Sequence, residues 1–267
     1  MEYSSSQFST YSKSALVIAH PGHELRVLHW LKLARPTVFV LTDGSGRSGK
    51  SRLGSTKNIL RQAGAGIGSI FGRVTDVDLY HAILCRDFEL SIRLAGELAQ
   101  QLHEQEVEYV AGDAIEGYNP AHDLCRLIIN SAMIILTHRR RTVLGNFDFL
   151  LSGRPDTCMA HSRSQAITLR LNDQEFETKL KAARSYPELQ DQIDSILNLY
   201  GFEAFRTECL RPVESTNCCY HLRETPFYET YGEKQVTAGF YSDVIRYREH
   251  MIPLAQALRR HAERAGR

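Results

Sequence analysis

Short apolar runs alternate with stretches of helical spacing through the first half of the chain. Ser14 to Ala19 (SALVIA) and Thr37 to Leu41 (TVFVL) are apolar almost throughout, the pattern of strands buried on both faces. The first stops at His20-Pro21-Gly22 and the second at a Gly/Ser-rich loop, Thr42 to Lys50. Between them Leu25, Leu28, Leu31 and Leu33 recur near helical spacing, and Ser55 to Ala63 also reads as helix. Asp87 to Glu106 is an amphipathic helix with the stripe Leu90, Leu94, Leu98 and Leu102. Val107 to Ala111 is a further strand, followed by a loop from Gly112 to Pro120 and a helix from Ala121 to about Thr137. Such repetition predicts an α/β fold: a Rossmann-like, mostly parallel sheet with helices on both faces.

The second half carries a weaker pattern. Ala166 to Leu171 reads as a strand, Asp173 to Leu199 as helix with Pro187 opening a second segment, and Tyr241 to Ala265 as a closing helix. Residues 1–13 are Ser- and Tyr-rich without periodicity and are expected to be a flexible arm. Nothing marks a linker after them, so residues 14–267 are expected to be one α/β domain with C-terminal helical additions.

A chain of 267 residues buries a full core without disulfide staples or a structural metal. Its 32 basic and 31 acidic residues give a net charge of +1, which excludes a dedicated nucleic-acid or anionic-membrane binder. The six cysteines include no CxxC spacing and read as thiols of a reducing compartment. The longest apolar run, Leu127 to Thr137, is broken by Asn130 and Ser131 and is too short to span a bilayer. A cytoplasmic protein is expected, with a homo-oligomer left open.

In open parallel sheets ligands bind beyond the C-terminal strand ends. Three loops leave such ends here, and two of them supply imidazoles. His20 and His23 lie three apart across a Pro-Gly turn, and His122 opens a helix beside Asp123. Three protein ligands with one open position is the arrangement of a catalytic zinc site, although loop histidines are also common as polar surface. The second loop offers a competing chemistry. Gly44-Ser45-Gly46-Arg47-Ser48-Gly49-Lys50-Ser51 satisfies GxxxxGK[ST], the pattern of a nucleotide-binding phosphohydrolase or kinase that would use Lys50 and Ser51. Against it, Gly54 falls where the cradling helix should be well formed, and Glu108 and Gly112 interrupt the companion strand.

Val17-Ile18-Ala19-His20-Pro21-Gly22-His23-Glu24 resembles the AHPDDE signature of the LmbE/PIG-L family of metal-dependent N-deacetylases. Leu41-Thr42-Asp43-Gly44 resembles that family's second strand end, and Gly117-Tyr118-Asn119-Pro120-Ala121-His122 its GY-HPDH loop. The resemblance covers about residues 14 to 140. It implies a Rossmann-like domain that hydrolyses the N-acyl group of an amino sugar or sugar-like small molecule, with Zn2+ or another divalent ion. The family's ligands fall on His20, His23 and His122, the middle one being His where the family has Asp. Its general base falls on Gly22, which accepts no proton, so Asp113 or Glu116 is expected to substitute. Glu24 is expected to brace the loop, Tyr118 and Asn119 to bind the oxyanion, and Asp43, Arg47 and Arg52 to line the substrate side. A further alternative is a non-catalytic metal-binding protein that kept the fold after losing its base.

Overall fold

The computed structural model describes residues 12–140, 145–158, 164–213, 222 and 224–265. Residues 1–11 of the expected arm lie outside them. In chain order the elements are β1 (Ser14–Ile18), α1 (Leu28–Ala34), β2 (Thr37–Thr42), α2 (Leu53–Ala63), β3 (Gly66–Val74), α3 (Asp76–Leu84), α4 (Phe88–Glu104) and β4 (Tyr109–Asp113). Then come α5 (Pro120–Arg140), β5 (Gly145–Phe149), β6 (Ile167–Arg170), α6 (Asp173–Arg184), α7 (Gln190–Tyr200), β7 (Thr207–Pro212), α8 (Phe227–Thr237) and α9 (Ile252–Ala265).

The seven strands form one sheet in the order β3-β2-β1-β4-β5-β7-β6. The first five run parallel, while β7 pairs antiparallel with both β5 and β6. The expected α/β, mostly parallel architecture is therefore present, with an antiparallel edge. Alternation along the strands explains the two covered faces. Ala15, Val17, Phe39 and Leu41 pack with Leu94, Leu98 and Leu102 of α4, Ile128 of α5 and Leu254 of α9. Leu16, Ile18, Val38 and Val40 pack on the other side with Trp30, Leu31, Ile59 and Leu60. Burying each of these large aliphatic side chains contributes about 1.5–3 kcal/mol before entropy is counted. Among the described residues no helix is long and apolar enough to cross a membrane.

The chain winds from β1 outward to β3, then returns to place β4 on the other side of β1. That reversal opens a crevice beyond the ends of β1 and β4, where doubly wound sheets bind ligands. The strand β4 differs from the sequence expectation in a way that matters. It runs to Asp113, so Asp113 is a strand residue and not part of a loop. Gly112 is within the strand because there is no room for a side chain: a Cβ there would stand 2.4 Å from the Val17 carbonyl oxygen and 2.5 Å from Ile129 Cδ1.

Gly112→Ala should accordingly cost about 1–3 kcal/mol in urea unfolding, because backbone has to move. Gly96→Ala makes the contrast. A Cβ at Gly96, inside α4, meets nothing within 4 Å, so that change should stabilise by about 0.5–1 kcal/mol.

Candidate functional site

After β1 the chain turns sharply at Pro21 and Gly22, and Gly22 sits at φ 106°, in the left-handed region that disfavours side chains. Glu24 fixes the turn. Its Oε2 accepts the Gly22 N–H at 2.7 Å and its Oε1 the Thr56 hydroxyl of α2 at 2.7 Å. Burial pushes the Glu24 carboxyl up, and Glu24 is thus the brace expected of it. The loop after β4 is held from within: Asp123 Oδ1 accepts the N–H groups of Glu116 at 3.0 Å and Gly117 at 3.2 Å. His122 therefore projects from the first turn of α5 above an anchored loop.

These constraints bring the three histidines together. Ring centroids stand 5.3 Å apart for His20 and His23, 5.2 Å for His20 and His122, and 4.5 Å for His23 and His122. His20 and His122 are buried, and His23 is half-buried. Two rings are backed by acceptors. Nδ1 of His20 lies 2.8 Å from Thr42 Oγ1 and 3.0 Å from Asp76 Oδ1. The Thr42 hydroxyl itself donates to the Ala19 carbonyl, so toward His20 it accepts. Nδ1 of His23 lies 3.1 and 3.0 Å from the two oxygens of Asp113, whose Oδ2 also accepts the Ala19 N–H at 2.8 Å. Nδ1 of His122 is buried with no hydrogen-bond partner.

Burial is the main cause that lowers the pKa of both His23 and His122, and neighbouring positive charge on the other rings and on Arg52 adds to it. Both rings are therefore neutral at pH 7, with lone pairs free to donate. Burial raises the Asp113 carboxyl to about 6, against the pull of His122, the Ala19 N–H, His20 and Arg126. Burial acts the same way on Asp76, but the neighbouring His20 imidazole and the hydrogen bond from the Gly46 N–H outweigh it and hold that carboxyl well below its usual range.

The donor set fits a divalent ion. Zn–N bonds of about 2.0–2.1 Å at tetrahedral angles put imidazole centroids on one zinc about 5 Å apart, close to the separations here. Histidines that ligate a metal commonly give their second nitrogen to a carboxylate, as His23 does to Asp113, whereas the hydrogen bond of His20 Nδ1 is to Thr42 and the nearby Asp76 Oδ1 is buried without a hydrogen-bond partner. The unpartnered Nδ1 of His122 is a buried polar atom in need of a ligand. As placed, the donor atoms are not gathered: among the described residues no three His, Cys, Asp or Glu side chains form a ready ion site.

Several sequence-derived roles need correction. The Glu116 carboxylate is engaged on both oxygens by the segment that follows β5. Its oxygens accept the N–H groups of Leu151, Ser152 and Gly153 and the Ser152 hydroxyl, at 2.7–3.0 Å. Asp113 lies fully buried, with both carboxylate oxygens 3.0–3.1 Å from Nδ1 of His23. Tyr118 is half-exposed and stacks on Phe227. Asn119 Oδ1 is occupied by the Tyr80 hydroxyl and the Ala121 N–H, at 3.0 and 2.8 Å, leaving its amide nitrogen as donor. Asp43 folds back on Ser45, accepting its N–H and hydroxyl at Oδ1. Arg52 donates Nε to the Gly44 carbonyl at 2.6 Å and lies close enough to His23 and His122 to lower both pKa values. The Arg47 side chain lies outside the described residues.

The phosphate-loop alternative fails on its amides. A phosphate-binding loop aims free N–H groups at the anion from the start of a helix. Here α2 begins only at Leu53, after Lys50 and Ser51. Four of the loop's N–H groups are already taken: Gly44 by Thr42, Ser45 by Asp43, Gly46 by Asp76 at 2.6 Å and Lys50 by Ser48. A carboxylate stands where a phosphate would have to sit.

Asp76 and Arg126 are the residues that sequence reasoning missed. Asp76 follows β3, whose sequence GIGSIFGRV hides its strand character behind glycines. A usable signal was Thr75, a helix N-cap whose hydroxyl accepts the Asp78 N–H. Arg126 is buried in α5 and donates to the Asp113 and Phe147 carbonyls and to Asn146, bracing the ends of β4 and β5.

No protein-family model matches the chain, and no curated protein matches it. Among solved structures it is similar to a deacetylase triple mutant (Orf2*T) involved in the teicoplanin biosynthetic pathway, at 14% identity and a TM-score of 0.47 over 78% of this chain and 100% of that one. It is also similar to the zinc-inhibited form of teicoplanin deacetylase Orf2, at 12% identity and a TM-score of 0.44 over 77% and 100%. A deacetylase–bog complex of the same pathway aligns at 15% identity and a TM-score of 0.44 over 77% and 100%. These are likenesses of chain path alone, and no residue role above rests on them.

Position 22, where the LmbE/PIG-L resemblance would put a general base, is crowded by side chains. A Cβ at Gly22 would stand 2.2 Å from Leu189 Cδ1 and 3.6 Å from Tyr186 Cζ. Gly22→Asp should therefore lower the thermal midpoint by several degrees, corresponding to about 1–3 kcal/mol of backbone strain and crowding. Calorimetry beside Gly22→Ala checks it, since both variants carry the positive φ and only the aspartate carries the larger bulk.

Proposed function

We propose that this protein is a metal-dependent hydrolase of a C–N amide bond, acting on the N-acyl group of an amino sugar or sugar-like small molecule. The observation that carries the reading is the convergence of His20, His23 and His122 at the sheet's crevice, with centroids 4.5–5.3 Å apart. The likeness of residues 17–24 and 117–122 to the LmbE/PIG-L signatures supports it, because that family's ligand set falls on these same three positions.

A divalent cation held there, zinc by preference of the imidazole donors, would supply Lewis acidity toward the amide carbonyl. The chain's own groups do the rest. Asp113 keeps the proton of His23 on Nδ1, and the Thr42 hydroxyl oxygen does the same for His20, so that each Nε2 carries its lone pair. Arg52, held on the Gly44 carbonyl, contributes positive charge that helps lower the pKa values of His23 and His122, and on this reading it is suited to an anionic group on the substrate. The Asn119 amide nitrogen is a second, neutral donor at the same loop.

A second reading is metal binding without hydrolysis. It is favoured by the closed position at Gly22 and by the committed lone pairs of Glu116. Turnover across a panel of N-acyl amino sugars separates the two.

Elemental analysis of the purified protein should find about one equivalent of divalent metal, and His20→Ala or His122→Ala should lose both the metal and any turnover. Asp113→Asn and Asp76→Asn should keep the fold and weaken metal affinity about 10- to 100-fold, read by competition with a chromophoric chelator. Full activity in metal-stripped protein refutes the reading.

A further inference from the structure

Two cysteines that stand far apart in the chain meet at β7, and neither the fold nor the proposed chemistry uses their contact. Cys209 is buried within β7, paired across the sheet with Thr168 of β6, whose hydroxyl reaches its Sγ at 3.9 Å. The Cys158 side chain is in hydrogen-bond contact with the Cys209 thiol. Both are reduced, with Cys209 in the interior and Cys158 half-buried. The other two described cysteines face different groups: Cys125 donates to the Val17 carbonyl at 3.7 Å, and the exposed Cys85 lies 3.5 Å from Nε2 of His81.

The contact is held from both sides. Cys209 is fixed by the sheet, in which β7 lies between β5 and β6. Cys158 ends the described segment that leaves β5, and that segment is tied down along its length. Leu151, Ser152 and Gly153 donate to Glu116, the Tyr200 hydroxyl donates to the Ser152 carbonyl at 2.6 Å, and the Thr157 N–H donates to the Arg154 carbonyl at 3.2 Å. Two groups already held in contact react with each other in preference to a partner from solution. Burial, and then the neighbouring Cys158, push the Cys209 thiol up to about 12. Cys209 therefore stays protonated, and the half-buried Cys158 is the sulfur that meets an oxidant first.

We propose that Cys158 and Cys209 are an oxidisable pair, a modification site at which hydrogen peroxide converts two thiols into one intrachain disulfide. The Cys158 sulfur attacks the peroxide, keeps one oxygen as a sulfenic acid and releases one water. The Cys209 sulfur then attacks the sulfenic sulfur, its thiol proton leaves with the hydroxyl as a second water, and the S–S bond closes. The two thiols lose two electrons, and one peroxide gains them. Nothing in this step depends on the amide-hydrolase reading. The bond staples the segment after β5 to β7. The same segment grips Glu116 of the loop that leads to His122, so the staple adds a covalent tie to the elements around that loop.

The test treats the full, reduced chain with hydrogen peroxide, blocks the remaining thiols, and maps the non-reduced digest by mass spectrometry. One cross-linked peptide should join Cys158 to Cys209, two hydrogens lighter than its parts, and dithiothreitol should reverse it. Titratable thiols in denaturant should fall by two of the six per chain. The thermal midpoint should rise by several degrees on oxidation, since closing a long loop restricts the unfolded chain. Cys158→Ala, at the half-buried position, should lose both the cross-link and the rise, and Cys209→Ser should lose the cross-link. The map of the unsubstituted chain decides the matter even if a variant fails to fold. Absence of any disulfide overturns the proposal, as does a bond from Cys209 to Cys218 or Cys219, or oxidation confined to Cys85. A rise in the midpoint that persists in Cys158→Ala overturns it as well.

Discussion

A carboxylate with no access to water must be surrounded by donors, and Asp113 is where this chain meets that demand. It lies at the end of β4, fully buried, between the Ala19 N–H and the His23 ring. One side chain therefore joins the ends of the two strands that flank the crevice and aims the imidazole between them. Arg126 completes the arrangement from behind by donating to the Asp113 carbonyl. Burial raises the Asp113 carboxyl to about 6, so its charge near neutral pH depends on these donors staying in place. Everything at the site that requires precision depends on that joint. The close approach of β1 to β4, which leaves space only for glycine at position 112, is the same joint seen from the backbone.

The centre of the fold was legible because its residues have one task each. The all-apolar runs of β1 and β2 and the leucine stripe of α4 state burial on two faces and on one, and the strands and helix occur where the periodicity puts them. The strands β3, β5 and β7 were not legible. In β5 the sequence GNFDF carries an asparagine and an aspartate that read as loop. Both are satisfied across the sheet, Asn146 by Arg126 and Asp148 by Arg211 of β7 at 2.7 Å. Polar residues paired with partners distant in sequence cannot be told from solvated ones by local pattern. The three histidines could be read because two share a turn and the third opens a helix, whereas Asp76 could not, since it owes its place to a glycine-rich strand.

The loop from Gly44 to Ser51 is a case in which a motif and its physics part company. The pattern specifies residue types, but the function it stands for needs unpaired amides pointing at an anion. In this chain the amides of Gly44, Ser45, Gly46 and Lys50 each have an oxygen of their own, and one of these acceptors, Asp76, also lies against His20. The loop is thus bound to the histidine site as its neighbour. Any ligand that competed for the Gly46 amide would have to displace a carboxylate that is more firmly ionised than usual.

On the proposed reading, His23 standing where the LmbE/PIG-L signature has an aspartate alters where negative charge resides. Three neutral imidazoles leave a divalent cation's charge uncompensated among its nearest neighbours. Asp76 behind His20 and Asp113 behind His23 restore two negative charges just beyond the rings. A carboxylate at that remove still orients and polarises the ring it holds, but it shields the ion less than a direct ligand does. On that reading an ion held there would be a stronger Lewis acid toward a carbonyl and would be held less tightly. The same displacement explains the chain's tolerance of glycine at position 22. With compensation supplied from the strand ends β3 and β4, the turn between His20 and His23 has no electrostatic duty and is free to be closed by Leu189 and Tyr186. Charge balance at the site is thus a property of the sheet's edges, and the histidine turn contributes only geometry.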